Sequence, residues 1–222
     1  MNISSQHSAG PRRLPQQKRG QRRVAALMEA AAAVLAESGY DAATMTDIAK
    51  RADASIGALY RFFPNKLSIA QALRGHYTKQ FHVRWAPLKA EVKHMTVAGL
   101  AERLIIAMAD FVDSYPAFLV LLEVSASTQG SATIRRDLLR RVEGLILARS
   151  PRITRAKASR FAIVTLNIMG TLAHVYAGAS QRERPVYVNE FKILLARYLE
   201  ARIGNGAVAR GRKKDEDILA AC

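Results

Sequence analysis

The sequence contains a single cysteine, Cys222, at its last position, so no internal disulfide bond can form. No apolar run approaches the roughly 20 residues that a membrane-spanning helix requires, and the N-terminus lacks the apolar segment of a secretory signal peptide. These absences predict a soluble protein in a reducing cytoplasm. Acidic residues are also scarce, because 18 Asp and Glu stand against 34 Lys and Arg, a formal charge of +16. This excess indicates a polyanionic partner, with nucleic acid favoured over a membrane surface.

Motifs of enzymes and metal sites are missing as well. The sequence has no phosphate-binding P-loop, no Gly-x-Ser-x-Gly elbow and no Cys-x-x-Cys pair. Its five histidines form no His-Glu-x-x-His pair, and Glu91-x-x-His94 is only one half of the arrangement that a di-iron bundle needs twice. We therefore expect no enzymatic activity, no metal and no cofactor.

Apolar residues recur at helical spacing along most of the chain, and no strand-like alternation stands out. An Ala-rich run from Arg22 to Glu37 predicts a first helix that ends at Gly39. Beyond Pro87 the helical pattern continues through five segments, which are Thr96 to Tyr115, Ala117 to Ser127, Ala132 to Arg149, Thr154 to Ser180 and Pro185 to Ile203. The sequence predicts an all-α protein of about nine helices.

The stretch from Thr44 to Lys66 reads as two short helices joined by a tight turn. Thr44 is a suitable N-cap, and Asp47 is placed to complete a capping box at the positive end of the helix dipole. Ser55 can cap the second helix, which Pro64 ends. This pattern predicts a helix-turn-helix with residues 55–63 as its recognition helix.

The recognition helix has an unusual outward face. Leu59 and Phe63 are four residues apart and are expected to face the core. The remaining positions then turn outward, and these are Ile56, Gly57, Ala58, Tyr60 and Arg61. Small residues with one aromatic and one arginine suit a helix that lies in a DNA groove better than a solvated surface.

These residues carry a family resemblance. The run from Ser55 to Lys66, preceded by Thr44-Met45-Thr46-Asp47-Ile48-Ala49, resembles the DNA-binding signature of the tetracycline-repressor (TetR) family of bacterial regulators. The resemblance covers residues 21–77. It implies an N-terminal three-helix head that binds DNA, joined to a larger helical body for ligand binding and dimerisation.

The predicted DNA contacts fall into two groups, since phosphate contacts position a protein and base contacts specify the sequence. We assign Thr44, Thr46, Tyr60 and Lys66 mainly to phosphates. The groove-facing set is Ser55, Ile56, Gly57, Ala58 and Arg61, in which Arg61 could bind guanine bidentately. Phe62 completes the predicted DNA-binding set. Ala58 and Phe62 lack the polar groups that are frequent there in the family, and simple packing is an alternative role for Tyr60 and Phe62.

A ligand pocket in the body is implied by the resemblance alone. The candidates are aromatic, soft or polar groups in apolar helices: Trp85, Met108, Phe111, Tyr115, Phe118, Glu123, Asn167 and His174. Ordinary core packing is the alternative for the aromatic and Met side chains, and Asn167 and His174 could equally form hydrogen bonds across a dimer. The segment from Thr154 is apolar over most of its circumference, which favours a homodimer through the last two long helices.

The predicted organisation has four parts. Residues 1–20 form a disordered basic arm, 21–66 the DNA-binding domain, 67–203 the regulatory and dimerisation domain, and 204–222 a disordered tail. The predicted function is that of a ligand-responsive transcriptional regulator, expected to be a repressor, which binds a palindromic operator as a homodimer and is released by a small-molecule effector. The alternative is a basic protein that binds nucleic acid without sequence preference.

Overall fold

The structure is a computed structural model that describes residues 14–125 and 129–204, with side chains described for 18–122 and 135–204. The chain forms two compact units that divide between Leu73 and Arg74. The described residues form nine α-helices, and the predicted all-α class is confirmed. These helices are α1 (Leu14–Ala42), α2 (Met45–Arg51), α3 (Ile56–Phe62), α4 (Lys66–Glu91), α5 (Val97–Ser114), α6 (Ala117–Ser125), α7 (Gln129–Arg149), α8 (Arg155–Gly178) and α9 (Arg184–Ile203).

The first helix begins earlier than the sequence pattern indicated. Residues 14–20, assigned to a disordered arm, belong to α1. Gln, Lys and Arg in this stretch are good helix formers, and Pro15 lies in the first turn, where a proline is tolerated. The rest of the predicted arm, residues 1–13, and the predicted tail after Gly204 lie outside the described residues.

Gly39 breaks α1 three residues before the helix ends. Its backbone has φ 77° and ψ 172°, a conformation that is essentially restricted to glycine. The chain turns there and continues through Tyr40 to the N-cap of α2, in agreement with the predicted helix end.

The first unit is built around a small core beneath α2 and α3. Helix α2 packs against both α1 and α3. The core side chains come from all three helices and are fully or almost fully buried: Leu27, Ala31, Leu35, Ile48, Ala49 and Leu59. Because the buried residues of α2 and α3 occupy one side of each helix, the other side of α3 stays exposed.

In the second unit, α5 is the central helix and packs against both α8 and α9, while α7 packs against α8. The buried side chains of α5 include Leu100, Leu104 and Phe111. Helix α4 was predicted from Lys66 toward Phe81, but it continues to Glu91 and contains Pro87. Helix α4 therefore contributes residues 66–73 to the first unit and 74–91 to the second.

Helix α8 differs from the expectation that no apolar segment has the length of a membrane-spanning helix. In the described part of the chain it is the one helix long and apolar enough, by length and composition, to cross a membrane. Its buried residues include Ala162, Leu166, Met169 and Leu172. These side chains lie on the side of α8 that packs against α5, α7 and α9, and 39% of the most apolar 18-residue window of α8 is buried.

Candidate nucleic-acid interface

Local hydrogen bonds fix the start of α2. The Thr44 hydroxyl accepts a bond from the Asp47 amide at 3.1 Å and donates to the Asp47 carboxylate. At the other end of α2, Asp53 has a positive φ of 45°, and the Ala54 amide donates to the Ala49 carbonyl at 2.9 Å. This tight turn separates the two helices of the predicted helix-turn-helix.

Ser55 is the N-cap of helix α3, and its hydroxyl accepts a bond from the Ala58 amide at 3.2 Å. Leu59 is fully buried and Phe63 is 7% exposed, so these two side chains anchor the helix to the core as predicted. The cap and the two anchors determine which side of α3 is turned outward.

The outward side of α3 carries large apolar groups. Ile56 is 41% exposed and Tyr60 is 49% exposed, two of the eight exposed large hydrophobic residues of the described chain. Gly57 and Arg61 are also exposed, and the Arg61 guanidinium lies 5.6 Å from the centre of the Phe62 ring. The face therefore offers an aliphatic group, a phenol and a cation within two turns, which suits direct contact with base edges and phosphates.

The other predicted contact residues differ in their exposure. Ala58 and Phe62 are half-buried, while Ser55, Thr44 and Thr46 are exposed. The Thr44 hydroxyl proton is already donated to Asp47, which leaves this group as an acceptor. The DNA-contact roles assigned to these side chains remain predictions.

Lys66 has a structural role that the sequence did not reveal. Its ammonium donates to the carbonyl oxygens of Tyr40, Asp41 at 3.0 Å and Ala43 at 2.8 Å. It also lies 4.6 Å from the centre of the Tyr40 ring. An ammonium has three N–H donors, so these carbonyls use all of them. The predicted phosphate contact of Lys66 would require it to give up one of these bonds.

Three of the eight predicted ligand-pocket residues, Phe111, Tyr115 and Phe118, belong to a packed aromatic cluster. Phe81 stacks on Phe111 with ring centres 3.7 Å apart, and Tyr77, Tyr115 and Phe118 surround this pair with ring centres 4.6 to 6.2 Å away. Burial, together with the nearby Tyr115 phenol, raises the pKa of Tyr77 to about 12. A cavity of about 10 Å³, the room of roughly one water molecule, lies beside the cluster. Its lining is Arg74, Tyr77, Thr78, Phe81, Phe118, Leu121 and Leu122.

Of the remaining candidates, Trp85 extends this cluster, with its ring centre 5.6 Å from that of Phe81. Trp85 and Met108 are each 3% exposed. Asn167 and His174 are exposed on α8, where the Asn167 side-chain oxygen accepts a bond from Arg135 at 3.1 Å. Their exposure is compatible with the dimer alternative. The side chain of Glu123 lies outside the described residues.

A second, larger cavity lies on the surface between α4 and α5. It measures about 470 Å³ and is lined by Arg84, Trp85, Leu88, Arg103, Ile106, Ala107 and Asp110. Of these residues, sequence reasoning identified only Trp85 as a candidate. The others carry no motif, and only the packing of the two helices brings them together.

Comparison with known proteins follows the same division of the chain. The family model described as "Bacterial regulatory proteins, tetR family" matches residues 27–73, and the model described as "Tetracyclin repressor-like, C-terminal domain" matches residues 96–199. Together these models cover about two thirds of the sequence.

The sequence also matches a curated relative, the HTH-type transcriptional repressor KstR of Mycobacterium tuberculosis. The two are 32% identical over 73 residues, which are 33% of this chain and 30% of the relative. The chain thus matches less than a third of that relative's length.

Two solved structures share the fold over most of the chain. A TetR-family member from Streptomyces coelicolor has a TM-score of 0.61 and 15% identity, covering 79% of this chain and 97% of its own. The transcriptional regulator FadR of Bacillus subtilis, solved with stearoyl-CoA, has a TM-score of 0.58 and 17% identity, and the match covers 82% of this chain and 98% of that one. With both family models matched in their expected order, the predicted family is confirmed: the chain belongs to the tetR family of bacterial regulatory proteins.

Proposed function

We propose that this protein is a transcriptional repressor that binds a palindromic operator as a homodimer and is released by a small-molecule effector. The observation that carries the proposal is the exposed face of α3, where Ile56, Tyr60 and Arg61 project from a helix held by Leu59 and the Ser55 cap. The matched relative KstR is named a repressor, and the FadR structure contains stearoyl-CoA. Both names support a DNA-binding, ligand-responsive role.

Base recognition in this proposal depends first on Arg61. Its exposed guanidinium is the group on α3 best suited to the two acceptors of a guanine. Ile56 can contact a thymine methyl group, and the absence of a side chain on Gly57 lets the backbone approach the groove closely. Exposed Thr46 would then fix the helix on the phosphates, and Thr44 would join it by turning its hydroxyl proton from Asp47 to a phosphate oxygen.

The homodimer would form through α8 and α9. Five of the eight exposed large hydrophobic residues of the described chain lie on these two helices: Ile163, Val164, Val186, Ile193 and Leu194. Exposed large apolar side chains on two helices that pack against each other favour an interaction surface there. Pairing two copies would place two α3 helices on successive half-sites, about 34 to 36 Å or a multiple apart. We expect the dimer to act in the cytoplasm and to have no enzymatic activity.

Operator binding is tested by selecting binding sites with the purified protein and measuring affinities on the selected site and its single-base variants. Arg61→Ala should lose about 1 to 3 kcal/mol of discrimination at one base pair. Arg22→Ala removes the same type of side chain from an exposed position on α1 and serves as the matched control. It should weaken binding to all sequences equally, if at all. A protein that shows no salt-sensitive, competitor-resistant binding to any selected site would disprove the proposal.

The dimer is tested by light scattering of a charged variant. Leu194→Asp on α9 should convert the dimer to a monomer, because a carboxylate would be buried without a partner. Val83→Asp places the same charge on α4, at a side chain that is 68% exposed, and should leave the dimer intact. A Leu194→Asp protein that stays dimeric would rule out this interface.

A second candidate function is sequence-independent binding of nucleic acid. It is favoured by one stretch of the body, residues 135–160, which contains nine Lys and Arg but only two acidic residues. Such a cluster attracts polyanions without reading their sequence. In that case Arg61→Ala would weaken binding to every site by the same factor, which distinguishes the two functions.

A further inference from the structure

The surface cavity between α4 and α5, which we call the α4–α5 groove, is large enough for a small molecule. Its volume of about 470 Å³ falls within the range of about 300 to 1,000 Å³ that is usual for ligand sites. By contrast, the cavity beside the aromatic cluster has room for roughly one water molecule. Among these two sites of the second unit, only the groove accommodates a ligand without repacking of the core.

The groove has an apolar floor between two charged ends. Arg84 bonds to the Asp110 backbone oxygen at 3.2 Å at one end, and Arg103 bonds to Glu91 at 3.3 Å at the other. Helices α4 and α5 therefore run antiparallel along the groove. Asp110 lies seven positions after Arg103, which separates the ends by about 10 Å along the α5 axis. Between them lie Trp85, Leu88, Ile106 and Ala107.

The two arginines differ in how their charge is compensated. Arg103 has the Glu91 carboxylate as its partner. Arg84 donates to two neutral oxygens, the Asp110 carbonyl and the Ser114 hydroxyl at 2.9 Å. Within the described part of the chain, no carboxylate lies in ion-pair distance of Arg84. A guanidinium has five N–H donors, so three remain for a ligand.

Arg84 is also held in place before any ligand arrives. Its guanidinium lies 5.8 Å from the centre of the Phe111 ring and 5.4 Å from that of Tyr115, in addition to its two hydrogen bonds. A preorganised donor loses less entropy when a ligand binds. The exposed Asp110 carboxylate on the same rim disfavours a second negative charge on the ligand.

We propose that the α4–α5 groove binds a small amphipathic monoanion, with its carboxylate on Arg84 and its apolar body over Trp85, Leu88 and Ile106. This site assigns the effector to the class of apolar monocarboxylates, an assignment that rests on the proposed function. Occupation of the groove engages residues 84–88 of α4, whose first turns belong to the DNA-binding unit. A ligand with different affinities for two states of this helix would shift their populations.

The chain provides its own probe, because Trp85 is its single tryptophan and lines the groove. The emission of Trp85 is followed in the full-length protein, without DNA, during titration with phenylbutyrate and with its neutral analogue phenylbutanol. We expect a saturable change with phenylbutyrate and at least tenfold weaker binding of the alcohol. No saturable change up to about 1 mM, or equal affinity for both compounds, would overturn the proposal.

Three variants locate the site. Arg84→Gln retains hydrogen-bonding groups but removes the charge. It should weaken the binding of phenylbutyrate at least tenfold and leave the affinity for phenylbutanol unchanged. Ala107→Phe should fill the groove and abolish the binding of both compounds. Arg103→Gln is the matched control, and its ligand affinity should stay within about twofold because Arg103 is paired with Glu91. Equal losses for Arg84→Gln and Arg103→Gln would refute the assigned orientation, and circular dichroism verifies that each variant is folded.

The effector role is read separately. Saturating phenylbutyrate should weaken the complex of the wild-type protein with its selected operator and should not affect that of Ala107→Phe. Binding to the groove without any change in the operator complex would refute the effector assignment while leaving operator binding itself established. A protein that binds phenylbutyrate but no operator would refute the proposed function and retain the ligand site.

Discussion

Replacing Lys66 by methionine tests whether this residue mainly stabilises the DNA-binding unit or mainly contacts phosphate. Methionine keeps the length and the apolar stem of the side chain while removing its charge and donors. In the structure the ammonium bonds to three carbonyl oxygens at the end of α1 and just beyond it, those of Tyr40, Asp41 and Ala43. These carbonyls are 23 to 26 residues away in sequence, so Lys66 ties the start of α4 to the end of α1.

The expected loss follows from these contacts. A hydrogen bond to a charged group contributes about 1.5 to 3 kcal/mol, but the three bonds of Lys66 share one charge and do not add fully. Because the residue is half-buried, water can replace part of the lost bonding. The cation–π contact with Tyr40 contributes about 0.5 to 1 kcal/mol. We therefore expect Lys66→Met to destabilise the first unit by about 2 to 4 kcal/mol.

Amide hydrogen exchange of α2 and α3 measures this loss within the first unit. A destabilisation of that size should lower the protection of the slowest amides by roughly 30-fold to several hundred-fold. Lys50→Met is the control, because Lys50 is an exposed lysine on α2, and substitutions at such positions usually change stability by less than about 0.5 kcal/mol. Circular dichroism in urea provides an independent measure of the same difference.

The opposite result is equally definite. If Lys66 mainly contacts DNA, Lys66→Met should match Lys50→Met in hydrogen exchange. It should instead lower the slope of log K against log salt concentration by about one, as the loss of one phosphate contact does. That pair of results would refute the structural role derived from the three carbonyls.

Three further predictions concern stability. Gly39→Ala should lower the free energy of unfolding in urea by about 1 to 3 kcal/mol, because the φ of 77° and ψ of 172° at this position suit glycine alone. Gly144→Ala on the exposed side of α7 should instead raise it by about 0.5 to 1 kcal/mol, and equal effects of the two substitutions would contradict the backbone argument. Ser55→Ala should cost about 1 kcal/mol through loss of the α3 cap and also weaken operator binding, and an unchanged unfolding midpoint would show that the cap is dispensable. The pKa of Tyr77 is raised from 10.0 to about 12, so this residue contributes roughly 2 to 3 kcal/mol to the free energy of unfolding below pH 10, and that contribution is lost as the pH rises to 12. Tyr77→Phe should remove this part of the alkaline loss of stability, and identical pH profiles for the two proteins would contradict it.

The helix-turn-helix was predictable because short-range interactions determine it. The Thr44 and Ser55 caps each bond to an amide three residues away, and the anchors Leu59 and Phe63 are four residues apart. Gly39 marks the end of α1 through its own backbone conformation. In each case a window of a few residues contains the whole physical cause, so the sequence pattern was sufficient.

The ligand side was not predictable in the same way. Aromatic residues at helical spacing indicate a buried stripe, but the spacing does not distinguish a lined cavity from a packed cluster. Phe81 and Phe111 stack at 3.7 Å only because α4 and α5 meet there, 30 residues apart in sequence. The α4–α5 groove likewise combines residues of two helices, and Arg103 and Ile106 carry no motif that would single them out.

Lys66 and Arg84 explain why a basic residue alone does not predict an anion site. Both lie on α4, and both donate to oxygen atoms of residues outside that helix. The ammonium of Lys66 has three donors and meets three carbonyls, so its capacity is used within the protein. The guanidinium of Arg84 has five donors and meets two neutral oxygens, so it keeps both charge and donors for a ligand. The difference depends on which acceptors folding brings within reach. We therefore expect the lysine at the helix N-terminus to stabilise the fold, and we propose that the arginine in the middle of the helix binds an anion, and the Lys66→Met and Arg84→Gln variants test these two expectations.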